Sequence, residues 1–202
     1  MTEFDRELFL LFNATSEPGD YIVLFAYLMA KYVILAIPIG IALLWIAGKY
    51  TAKRIAFALF FALVVAVFLS FTIGILFPVQ RPFLIQFGQN LIEHRASPSF
   101  PSNHALVMFS CAWTLFFMAR RWQAALIAIL GVFVAWSRVY LGIHWPFDMV
   151  GAAIVAGIAA FFAVAFDRRF GDSSMLITVG LYDRFVEKPL VRVWARLKLW
   201  LP

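Results

Sequence analysis

Five residues can do chemistry in a chain otherwise poor in polar groups: Arg81, His104, Arg138, His144 and Asp148. Three of them lie in Ser137-Arg138-Val139-Tyr140-Leu141-Gly142-Ile143-His144-Trp145-Pro146-Phe147-Asp148, where two long apolar runs meet. A hydroxyl and a guanidinium at Ser137 and Arg138 suit an anion with several oxygens. Asp148 follows His144 by four residues, with Pro146 between them as a first helical residue. That spacing lets the carboxylate fold back onto one imidazole nitrogen and leaves the other aimed outward. Such a histidine serves as a general base, a nucleophile or a metal ligand, and the spacing does not choose among them. Taken alone, the stretch is equally well a polar turn between two membrane helices.

Two further clusters change the balance. Ser99-Phe100-Pro101-Ser102-Asn103-His104 stands just ahead of an apolar run, with Ser102 in the N-cap position. Free backbone N–H groups at Asn103 and His104, at the positive end of a helix, form an anion site. Capping explains Ser102 but not a histidine at the same helix start. Phe77-Pro78-Val79-Gln80-Arg81-Pro82-Phe83 supplies the second guanidinium.

The elements that must position these groups are membrane helices. Of 202 residues, 64% are hydrophobic and 14% charged, far from the roughly 45–50% and about 25% of a soluble domain. The expected fold is an all-α integral membrane protein, a single bundle of about five transmembrane helices with short interfacial helices. Residues 2–13 read as an interfacial helix. Apolar runs then cover about 21–47 (bent near Lys31), 55–77, 103–120, 123–139 and 146–167. The domain boundaries expected are 1–170 for the transmembrane domain and 171–202 for a basic amphipathic tail. No cleavable signal peptide is read, because the first twenty residues mix Glu and Asp with apolar residues. Cys111 lies within an apolar run and reads as packing.

The net charge of +6 could suggest nucleic acid, but the basic residues sit beside apolar runs, where topology and anionic lipid explain them. The loops at 48–54 and 120–121 and everything after 166 hold twelve of the 17 Lys and Arg residues. By the positive-inside rule the C-terminus is cytoplasmic and the N-terminus outside. The alternation of spans then brings Arg81, Asn103, Ser137 and His144 out on one extracytoplasmic face. There an arginine avoids most of the roughly 2.5–3.5 kcal/mol that the bilayer centre would cost. Lys31, Glu93 and Arg95 are candidates for headgroup contacts, and His94 reads as a surface residue.

Arg81-Pro82, Pro101-Ser102-Asn103-His104, and Ser137-Arg138 with His144 and Asp148 resemble the three signature motifs of the type-2 phosphatidic acid phosphatase (PAP2) superfamily. The stretches 74–83 and 136–142 are similar to its bacterial undecaprenyl-diphosphatase branch, the BcrC type. One position departs: the lysine usual seven residues before the first-motif arginine is Gly74 here, so Arg81 and Arg138, or Lys31 or Arg95, must supply the positive charge. The resemblance implies that His144 attacks the terminal phosphorus, Asp148 orients it, and His104 protonates the leaving oxygen and then activates water. Arg81, Ser102, Asn103, Ser137 and Arg138 would hold the phosphoryl oxygens. It further implies a polyprenyl diphosphate substrate and a place in the bacterial plasma (inner) membrane, with no cofactor and no nucleic-acid partner. Metal is not expected, since a two-metal site wants several carboxylates and this face offers chiefly Asp148 and Glu93. The same residues leave open a phosphatidylglycerophosphate or phosphatidate phosphatase and a lipid phosphotransferase. A small anion transporter is the remote alternative. Oligomeric state is not legible.

Overall fold

The computed structural model describes residues 2–190. Among these, all regular structure is helical: α1 (Glu3–Phe12), α2 (Asp20–Lys31), α3 (Ala36–Ile46), α4 (Tyr50–Leu76), α5 (Asn103–Phe117), α6 (Arg121–Tyr140) and α7 (Pro146–Tyr182). Single turns of 3-10 helix follow at Val33–Leu35 and Pro82–Ile85, and a π turn at Asp183–Glu187.

The first membrane segment bends where expected. Helix α2 ends at Lys31, one 3-10 turn intervenes, and α3 carries on to Ile46. Four segments are long and apolar enough to cross a bilayer: Asp20–Ile46, Tyr50–Leu76, Arg121–Tyr140 and Pro146–Leu190. Helix α5 is apolar too, but its 15 residues reach only roughly 22 Å, short of a hydrocarbon core of about 30 Å. The chain is a multi-pass membrane protein.

Packing divides the chain into Met1–Val164 and Ala165–Pro202. In the first unit α5 packs on α4 and α6, α2 on α6, and α3 on α4. The buried stripe of α4 is built from small residues, among them Ala56, Ala62, Ala66, Ser70 and Gly74. That of α7 uses Ala152, Ala156, Ala159, Ala160 and Ala163. Small side chains let helix backbones approach where lipid supplies no hydrophobic force between helices. The large ones point the other way: Phe60, Phe68, Phe71, Ile154 and Phe161 are all exposed. Cys111 is buried and free.

The second unit departs from the expected outline. The charged run at 167–169 does not end the last helix, which continues to Tyr182; Asp167 is buried while Arg168 and Arg169 are exposed, and side-chain charge of either kind leaves the backbone ladder intact. The expected domain boundary at 170/171 falls inside that helix. The basic amphipathic tail expected over 171–202 lies, from residue 191 onward, outside the described residues.

Candidate active site

The segment between α6 and α7 owes its shape to a helix terminator. Gly142 N–H donates to the Val139 carbonyl at 3.0 Å and Ile143 N–H to that of Arg138 at 3.1 Å, the paired bonds of a Schellman motif. Its left-handed residue is Gly142, with φ +81°. A Cβ there would meet the Gln89 backbone as well as the wrong φ, so glycine is required twice over. The chain then turns directly into His144, and Pro146 starts α7, with no N–H to satisfy.

His144 is 2% exposed. Its Nδ1 lies 3.0 Å from Asp148 Oδ2, the pairing that the four-residue spacing allowed. The same oxygen accepts from Trp145 N–H at 2.8 Å and from the Ser99 hydroxyl. On the other edge, Arg81 Nη1 lies 2.9 Å from His144 Nε2. A guanidinium only donates, so Nε2 is an unprotonated acceptor whose lone pair takes the Arg81 N–H, and Nδ1 carries the proton. Burial, then the charges of Arg81 and Arg138, hold the imidazole well below the ordinary histidine range. Both lines of argument make His144 neutral, with Nε2 as its basic atom.

The two arginines are not equivalent. Each is 4% exposed. Arg81 uses all five of its N–H groups on the protein: Ser97 O at 2.8 Å, Ser97 Oγ at 3.2 Å, Pro98 O at 3.1 Å, Ile143 O at 3.0 Å and His144 Nε2. Burial brings its pKa down to about 10, against the pull of Asp148, so it stays charged at neutral pH. Arg138 is held more lightly, by Ala30 O at 3.4 Å and His94 Nε2 at 3.0 Å. Its Nε has no hydrogen-bond partner among the described residues. Arg138 is therefore the guanidinium with donors to give an incoming anion.

A cavity of about 460 Å³ opens on Arg138, lined also by Lys31, Glu93, His94, His104 and Tyr27. Lys31 Nζ donates to the Tyr27 hydroxyl at 2.5 Å. His94, read from the sequence as a surface residue, is instead part of this wall. It accepts from Arg138 and stacks edge-on to His144 with ring centroids 6.3 Å apart. Burial, then the Arg81 charge, lowers its pKa too. Glu93 is at the rim, and Arg95 is exposed beside it.

The remaining candidates fall less simply. Ser102 occupies the N-cap position of α5, yet its hydroxyl makes no cap bond. That oxygen is buried with no partner among the described residues, while the Ser102 N–H donates to the Asp148 carbonyl at 3.3 Å. Asn103 Oδ1 accepts from Ser70 on α4 at 2.8 Å, which fixes the start of α5. Ser137 is fully buried and its hydroxyl donates to Val134 O at 2.7 Å, one turn back along its own helix. The structure thus brings His144, Asp148, Arg81 and Ser99 into one bonded group, with Arg138 and His94 beside it, and directs the Ser137 proton elsewhere. Gly74 packs near Pro98 and Phe100, and Lys31 stands in the cavity wall. Among the described residues, no three His, Cys, Asp or Glu side chains come close enough together to hold a metal ion.

Membrane helices that deliver a neutral, carboxylate-paired imidazole beside two buried guanidiniums define an integral membrane enzyme acting on an anionic group. The sequence pattern of the PAP2 superfamily matches residues 55–172, and the chain belongs to that superfamily and is a phosphatase. It is 34% identical over 196 residues to YbjG of Escherichia coli (strain K12), which carries a provisional undecaprenyl-diphosphatase name, covering 97% of this chain and 99% of that protein. It is 24% identical over 186 residues to the undecaprenyl-diphosphatase BcrC of Bacillus subtilis (strain 168), covering 91% and 96%. In fold it is similar to Aquifex aeolicus LpxE, with TM-score 0.65 and 24% identity over 81% of this chain and 96% of that one. The transmembrane PAP2 type phosphatidylglycerolphosphate phosphatase of Bacillus subtilis gives TM-score 0.58 and 18% identity over 82% and 85%.

Proposed function

We propose that this protein hydrolyses undecaprenyl diphosphate to undecaprenyl phosphate and phosphate through a phosphohistidine on His144. The reaction takes place on the extracytoplasmic face of the bacterial plasma membrane. The substrate assignment is supported by the relatives that bear that name over nearly the whole chain. The observation that carries the mechanism is His144 itself, with Nδ1 paired to Asp148 Oδ2 at 3.0 Å and Nε2 an unprotonated acceptor 2.9 Å from Arg81 Nη1. Arg138 Nε and Ser102 Oγ are two further buried polar atoms without partners among the described residues. Unpaired buried donors are costly, and a phosphoryl group satisfies both.

In the first step the Nε2 lone pair forms an N–P bond to the terminal phosphorus. The bond from that phosphorus to the bridging oxygen breaks, and undecaprenyl phosphate leaves with its electrons. Arg81 Nη1 must release Nε2 as this happens and turn to a phosphoryl oxygen, joining Arg138 in holding charge that shifts during transfer. Positive charge that develops on the ring is balanced by Asp148 through Nδ1–H. In the second step water attacks, His104 takes its proton, and the N–P bond breaks to return neutral His144. Lys31 supplies the cation that Gly74 lacks and contacts the diphosphate from the cavity wall.

The test is phosphate release by purified protein from undecaprenyl diphosphate, phosphatidylglycerophosphate and phosphatidate in matched detergent. The prenyl diphosphate is expected to show the highest kcat/KM; a diacyl phosphate ahead of it would overturn the substrate. Chelator is expected to leave the rate unchanged, whereas loss with EDTA and recovery with Mg²⁺ would overturn the histidine mechanism. Because burial and the two arginines lower the pKa of His144, its neutral form persists as pH falls. The acid limb of kcat/KM is accordingly expected below the ordinary histidine value of about 6.5.

A further inference from the structure

Helix α1 buries one narrow edge, and of its ten residues only Asp5 and Phe9 are buried. They stand four apart, one turn above the other. The Phe9 ring packs on Trp145 at 5.0 Å and on Phe87 at 5.7 Å. Asp5, 1% exposed, reaches the catalytic helix itself: its Oδ1 accepts the Phe147 N–H at 3.0 Å. Its Oδ2 has no hydrogen-bond partner among the described residues. A carboxylate so deeply buried on a single hydrogen bond is expensive to keep, and its partner tells what it does.

The first N–H groups of a helix have no acceptor within it. At the start of α7, Pro146 has none to satisfy. The Trp145 N–H goes to Asp148 Oδ2 at 2.8 Å. The Phe147 N–H, immediately before Asp148 in the chain, goes to Asp5. Two carboxylates therefore close this helix end, one local and one brought from the N-terminal helix. Without the second, the Phe147 N–H would lose its protein acceptor at the half-exposed first turn that carries the one carboxylate that must also hold His144.

We infer that Asp5 is a positioning residue: by accepting the Phe147 N–H it fixes the first turn of α7 and so holds Asp148 in register with His144. The inference rests on His144 being the nucleophile, as proposed above. Burial raises the pKa of Asp5; the hydrogen bond from the Phe147 N–H opposes that rise, and the nearby Asp148 charge adds to it.

Asp5→Asn keeps an acceptor of the same shape and position; Asp5→Ala removes it. Measured on monodisperse protein well below its Tm, Asp5→Ala is expected to lower kcat about 10- to 100-fold, the scale of a misplaced catalytic group, with KM nearly unchanged. Asp5→Asn is expected to retain most of kcat. Phe9→Ala loosens the same edge without touching the hydrogen bond and is expected to lower Tm but not kcat at the assay temperature. Full kcat in Asp5→Ala, or a loss in Phe9→Ala as large as in Asp5→Ala, overturns the inference. A large loss of kcat in Asp5→Asn does so by itself, even where Asp5→Ala cannot be recovered folded. His144→Ala measured alongside separates the two layers: activity there would remove the proposed mechanism, whereas an inactive His144→Ala beside a fully active Asp5→Ala removes only the role of Asp5.

Discussion

Replacing His144 with alanine is expected to cut phosphate release from undecaprenyl diphosphate by at least about 10⁴-fold, close to the uncatalysed rate. That is roughly 5.5 kcal/mol of lost transition-state stabilisation, more than a binding contact supplies, because the variant has no atom able to form the N–P bond. The variant nevertheless folds. Asp148 Oδ2 keeps its bonds from Trp145 N–H and the Ser99 hydroxyl, and Arg81 keeps four of its five acceptors. One donor left buried without a partner costs about 1–3 kcal/mol, and the ring leaves a cavity, so Tm falls but the protein remains in the membrane. The measurement is released phosphate together with acid-labile, base-stable phosphate on the protein after brief exposure to labelled substrate. Wild type is expected to carry that label transiently and His144→Ala never. Substantial turnover in the variant would mean that another group attacks.

What could be read from the sequence follows the range of each interaction. The His144–Asp148 pair was legible because it is local: four residues on one turn face each other whatever surrounds them. The gathering of Arg81, His104, Arg138 and His144 at one end of the bundle was legible because alternating spans leave few arrangements. What each arginine does there was not. Arg81 bonds to carbonyls at Ser97, Pro98 and Ile143, and the placement of a backbone acceptor 16 or 62 residues away is decided by packing. His94 carried no local sign, being flanked by Glu93 and Arg95 in a polar connection. It reaches the cavity only because that connection folds back over α6. Asp5 was hidden by its own helix, whose alternating charged and apolar residues read as an amphipathic surface element and not as one with a buried acid. Ser137 could have been read more closely, since a serine within a helix commonly bonds one turn back, and the bond to Val134 O is of that kind. The last helix outran its expected end because charge alone does not stop a helix and no cap or proline stands at 167–170.

The second large effect is expected at His104, and it differs in kind from the first. His104 lies at the start of α5 in the wall shared with Arg138 and His94, and it is less buried than His144. As proton donor in the first step it has little to do for this substrate: the leaving group is a phosphate monoester with a second pKa of about 6, which departs without help. As base in the second step it is needed, since water at neutral pH is a poor nucleophile and general-base assistance contributes about 10²–10⁴-fold. His104→Ala is thus expected to lower steady-state turnover by about that factor while leaving formation of the phosphohistidine nearly intact. Rapid quench should then show a burst of undecaprenyl phosphate equal to the enzyme present, followed by slow turnover, with labelled phosphate retained on the protein. An ester substrate such as phosphatidate, whose alkoxide leaving group does need a proton, should by contrast show no burst in this variant. Absence of a burst with the diphosphate, at normal protein stability, would place His104 in the first step for both substrates and would assign activation of water to another residue in the cavity wall, with His94 the nearest imidazole.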